Sequence, residues 1–132
     1  MDPEIAESER LTVFVLDSGL MKEDGVHWRA FMPGKHDGER SLYRVDGLDF
    51  CDVSALGQSV ASERQNQRLH GWGVFSANDV RTLPPPGLRL LSAEPPDRHG
   101  VIDCWPTEKH EQRNFAQLLA KCAGTIRFPF AP

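Results

Sequence analysis

The chain has only three cysteines in 132 residues, Cys51, Cys104 and Cys122, and no two stand at the C-x-x-C spacing of a zinc or redox motif. An odd, widely spaced set excludes a disulfide framework and fits free thiols in a reducing cytoplasm. The five histidines, His27, His36, His70, His99 and His110, include no H-x-x-x-H or H-E-x-x-H pair, so no metal site is expected. No apolar run approaches the ~20 residues that a membrane-spanning helix needs. The opening MDPEIAESER lacks the basic-then-apolar plan of a signal peptide. Basic residues do not predominate either. A net charge of -4 supplies no general attraction for a phosphate backbone, and nucleic-acid binding is not expected. P-loop, G-x-G-x-x-G and G-x-S-x-G signatures are all missing, as is a paired-carboxylate motif. No cofactor is expected.

What is present describes one small α+β domain. A chain of this length buries one adequate core, and halves of it would be marginal. The first ten residues are polar and acidic and are expected to fray, leaving 11–132 as the domain. Leu11 to Leu16, LTVFVL, is apolar on both alternating faces except at Thr12, which predicts a central strand covered on both sides. Val26 to Met32 alternates and reads as its hairpin partner, and Ser41 to Val45 as a third strand. Asp49 is placed to cap a helix running to Arg64, with Val53, Leu56, Val60 and Ala61 inward. Gly57 inside it implies close approach of a neighbouring strand.

Leu69 to Phe75, LHGWGVF, reads as a strand whose alternate glycines leave room for something to approach. Ser76 or Asn78 then caps a short helical turn, and Leu88 to Ala93 is a further strand. Arg98 to Gly124 runs from a strand through a Trp-Pro break into the second principal helix, Thr107 to Ala123. Phe115, Leu118, Leu119 and Cys122 form its apolar stripe. Thr125 to Phe130 closes the chain as an edge strand, demoted by Pro129. These elements make a mixed, mainly antiparallel sheet with two helices packed on it.

For chemistry, His99 and Asp103 share a strand face, but four residues of strand separate their Cα atoms by about 13 Å, too far for a direct pair. Cys104 lies on the opposite face and reads as a buried apolar thiol. His70 and Trp72 share a face beside glycine-relieved backbone and could wall a planar ligand. Arg44 and Arg98 add guanidinium groups suited to carboxylate or phosphate. Leu42-Tyr43-Arg44-Val45 with His70-Gly71-Trp72-Gly73 bears a local resemblance to the strand-borne arginine and aromatic residues of ADP-ribosyl-transferring folds. No catalytic glutamate accompanies these residues, and no family is assigned.

Two functions are expected from this reading. The first is a small cytoplasmic binding or accessory protein acting through a protein partner, motivated by the missing catalytic signatures and by aromatic and proline residues in the connectors. The alternative is a small enzyme or ligand-binding domain for a phosphate-bearing or nucleotide-like anion. Its ligand-binding residues would be Arg44, His70, Trp72, Arg98 and His99, with no catalytic residue assigned. Arg-, Ala- and Pro-rich usage suits a bacterial source.

Overall fold

A computed structural model describes residues 5–23, 25–34, 38–64, 67–85, 87–94 and 97–128. In chain order the elements are β1 (Arg10–Val15), a 3-10 turn (Ser18–Leu20), β2 (Met21–Lys22), β3 (Gly25–Val26), a second 3-10 turn (Trp28–Phe31), β4 (Arg40–Arg44), α1 (Phe50–Ser62), β5 (Gly71–Ser76), α2 (Ala77–Arg81), β6 (Arg89–Ser92), β7 (His99–Asp103), α3 (Lys109–Cys122) and β8 (Gly124–Arg127). Six strands form one sheet in the order β6-β7-β4-β1-β5-β8, and β2-β3 is a separate two-stranded ribbon. Each of these pairings is antiparallel, so the fold is the expected α+β one with an antiparallel sheet.

The apolar run of β1 explains its central place. Leu11, Val13 and Val15 face one core with Leu42, Phe75, Ile102 and Leu119, while Phe14 faces a second with Val45, Val53, Ala61 and Trp72. Thr12, the polar exception, is fully buried and donates its hydroxyl hydrogen to the Gly73 carbonyl at 2.8 Å. A buried hydroxyl so paired costs little. Helix α1 covers the second core. On the other face lie α3, α2 and the turn Trp28–Phe31.

Several expectations change here. Val26 to Met32 is no hairpin strand. After the two-residue β3, the chain turns at Trp28–Phe31, where His27 Nδ1 accepts the Arg29 backbone N–H at 3.1 Å and caps the turn. Tertiary packing decides this, because Phe31 is fully buried against Phe75, ring centroids 5.8 Å apart. The chain packs from Ile5, which is 2% exposed, so fraying to Arg10 does not describe residues 5–10; residues 1–4 lie outside the described set. Pro129 and Phe130 lie outside it too, and β8 ends at Arg127.

Asp49 does cap α1, accepting from the Asp52 N–H. A Cβ at Gly57 would meet the Phe14 ring at 2.8 Å and Leu69 at 2.9 Å. Gly57 therefore makes room for side chains, not for a strand backbone. Ser76 and Asp79 form a reciprocal capping box on α2. Helix α3 begins later than Thr107, and its N-cap position, Glu108, makes no side-chain capping bond. Its buried side is Phe115, Ala116 and Leu119, with Leu118 only half-buried and Cys122 exposed.

Candidate functional site

The five residues expected to gather at one site fall into two groups: Arg44, Arg98 and His99 are neighbours where β4 meets β7, while His70 and Trp72 lie at β5. Strands β5 and β7, whose entrances carry His70 and His99, are separated by β1 and β4. Arg44 is occupied: its Nε and Nη2 each donate to Glu9 at 2.8 Å, with both side chains about 15% exposed. That bidentate bond raises the guanidinium's pKa. Arg98 serves the backbone, its Nη1 donating to the Arg44 carbonyl at 3.2 Å, while its own N–H donates to Glu94. Trp72 is 2% exposed, between Phe14 and Phe50 with centroids at 6.1 and 5.4 Å. His70 lines a separate hollow with Arg68, Gln58 and Phe128. Arg44 and Arg98 therefore stay together, and His70 and Trp72 are parted from them. Residues far apart in sequence come together only if strand order allows it, and this order allows it for Arg44 and Arg98 but not for His70 and Trp72.

Of the five, only His99 lines the cleft that also holds Tyr43, Arg29, Arg40 and Arg64. Tyr43 pairs across from it on β4, and their ring centroids are 5.4 Å apart. Phe14 continues the row, 5.6 Å from Tyr43. The three rings form the floor of a cleft of about 360 Å³, within the size range of small-molecule sites. Arg29, Arg40 and Arg64 lie around it, with Asp17 and Glu63 as acids. Each wall has a local cause. Asp17 accepts the Gly19 N–H at 2.9 Å and starts the turn Ser18–Leu20. Glu63 and Arg64 follow the last turn of α1, and Arg29 sits on the turn that His27 caps.

His99 Nδ1 lies 3.0 Å from the Ala93 carbonyl. A carbonyl only accepts, so Nδ1 carries a hydrogen, which leaves Nε2 to accept whenever the ring is neutral. Burial raises the Tyr43 phenol, Glu63 raises it further and Arg64 opposes them; it stays a neutral donor near pH 7. The carboxylate on the strand of His99 is committed elsewhere. Asp103 takes two bonds from Arg89 at 2.8 Å, which hold it below the ordinary carboxylate range. The cleft thus offers cations, a phenol donor and an imidazole acceptor over an aromatic floor. That set suits an anion with a planar body.

Of the residues expected from sequence, His99 lines this cleft; Tyr43, Arg29 and Arg40 line it too and were not among those expected. The usable signal was the parity of Ser41 to Val45, which puts Tyr43 on the face opposite Leu42. Arg29 was hidden by the strand reading of Val26 to Met32.

Among the described residues, no three His, Cys, Asp or Glu side chains gather to hold a metal ion. No described helix is long and apolar enough to cross a membrane. No protein-family model, no curated protein and no solved structure matches this chain.

The thiols also depart from expectation. All three are unpaired and exposed, Cys104 included, because Cys104 adopts a positive φ of 62° that ends strand alternation after Asp103. Partial burial and the Asp79 carboxylate push the Cys122 thiol up. Titration of native protein near pH 8 should therefore find three reactive thiols, with Cys122 reacting slowly because little thiolate forms. Fewer than three without denaturant would show that one is shielded.

Proposed function

We propose that this protein binds a small planar anion, phosphate-bearing or nucleotide-like, in the cleft over Phe14, Tyr43 and His99. One observation carries the reading: three guanidinium groups surround a single cleft whose floor is a row of three rings. Arg40, Arg64 and Arg29 would take the anionic group, and the rings the flat body. His99 Nε2 would accept a hydrogen bond from the ligand and the Tyr43 phenol would donate one. A cytoplasmic setting, where exposed thiols stay reduced, goes with this role.

Calorimetry with AMP, adenosine and inorganic phosphate separates the contributions. AMP should bind saturably and more tightly than either fragment. Arg64→Gln, at an exposed position that leaves the core untouched, should weaken AMP about tenfold, in line with a charge-assisted hydrogen bond of roughly 1.5–3 kcal/mol. Absence of saturable binding by all three probes would remove this reading.

A protein partner is the second reading. Phe50, 40% exposed, rests on the buried Trp72 beside a shallow groove lined by Val74 and Ile126. An exposed aromatic seated on a rigid aromatic base has the make-up of an interface anchor. Silence of the cleft toward the probes would leave this surface as the better guide.

A further inference from the structure

The turn Trp28–Phe31 joins the cleft to the core and is held by a group that titrates. His27 Nδ1 accepts the Arg29 backbone N–H at 3.1 Å. A protonated imidazole has no acceptor left, so this cap exists only on the neutral ring. The residues it holds face two ways. Ala30 and Phe31 are buried in the core, while Arg29 and Ala30 also line the cleft. The same turn packs on α3, where the Arg113 guanidinium lies 5.5 Å from the Trp28 ring and Arg29 lies 5.6 Å from it.

We propose that His27 is a pH-sensitive latch: protonation releases the Arg29 N–H, loosens the turn Trp28–Phe31 and withdraws the Arg29 wall of the cleft. The charges around it favour this sense. Arg29 on the turn and Lys22 on β2 both oppose a positive ring, and burial opposes it more than either, so its pKa is lowered. Arg113 on α3 adds a third cation, 5.5 Å from the Trp28 ring. Asp17, which caps the turn Ser18–Leu20 packed against Trp28–Phe31, is committed to the Gly19 N–H. Below the ordinary imidazole pKa, folding favours the neutral ring. The stabilisation is full above that value and is lost as pH falls through the depressed one. The device does not depend on what the cleft binds.

Amide exchange and heteronuclear NMR of the whole chain, titrated from about pH 7.5 to pH 5, test it. In the native protein the Arg29 amide should shift with a midpoint below the ordinary imidazole value. Its exchange, relative to the intrinsic rate, should become about fivefold faster at the acid end, the factor that losing a typical N-cap brings. His27→Asn keeps a capping acceptor that does not titrate, so the same amide should hold its protection throughout; His27→Ser is the second such variant should the first fold poorly. An Arg29 amide that loses protection equally in the capping variants, or that never responds in the native protein, overturns the latch.

Discussion

Leu119→Ala is expected to lower stability by about 2–5 kcal/mol, the range for emptying a fully buried leucine site. Leu119 is 0% exposed on the face of α3 that meets the sheet core. Leu118 is only half-buried, and Leu118→Ala should cost roughly 1 kcal/mol or less. The comparison fixes the rotational phase of α3. Residues 115, 116 and 119 face inward, with Ala120 and Ala123 beside them, and Leu118 and Cys122 are turned away. Urea unfolding of both variants, read at unchanged m-value, decides it. A larger loss at Leu118 than at Leu119 would rotate the helix and undo the core description.

Gly71→Ala should be comparably damaging although it adds one methyl. Gly71 has a φ of +155°, and a Cβ there would stand 2.3 Å from the Ile126 carbonyl oxygen and 2.8 Å from the end of Met21. A flexible methionine can move; a backbone carbonyl paired across β5 and β8 cannot without opening the ladder. Conformational strain and overpacking each contribute about 1–3 kcal/mol, for a combined loss of roughly 2–5 kcal/mol. The damage should be local first, so hydrogen exchange at the β8 amides is the sensitive readout. A variant with native β8 protection and a denaturation midpoint within about 0.5 kcal/mol of the parent would show that this approach is not tight.

Those glycines show how far sequence alone reaches. Alternation in LHGWGVF marks room left on one strand face, and Met21, Phe31 and β8 fill it. The apolar two-faced run of β1 and the Asp49 cap were equally legible, and Ser76 was one of two caps offered for α2, since each is a rule about neighbours in sequence. Failures came where a distant partner decides. The alternating Val26 to Met32 becomes a 3-10 turn because Phe31 gains more in the core than a strand would give it. The helix stripe shifts by a residue because Ala116, small and easily overlooked, packs where Leu118 was expected. The candidate site suffered most. Arg44, His70 and Arg98 belong to strands and loops whose order in the sheet, β6-β7-β4-β1-β5-β8, no local pattern encodes. Tyr43 and His99 become neighbours only once β4 and β7 are known to pair.

The central position of β1 also sets a timetable. It is an early part of the chain, yet its two neighbours are β4 and the far later β5, which pairs with it along all six residues. A ribosome adding about 5–20 residues per second therefore exposes a bare, two-edged apolar strand for several seconds before either flank exists. Ordering Thr12 against Val74 must then close a loop of some sixty residues, a slow, non-local step. The molecule's most vulnerable moment, when LTVFVL can pair with another nascent chain instead of its own, falls before α3 has been made.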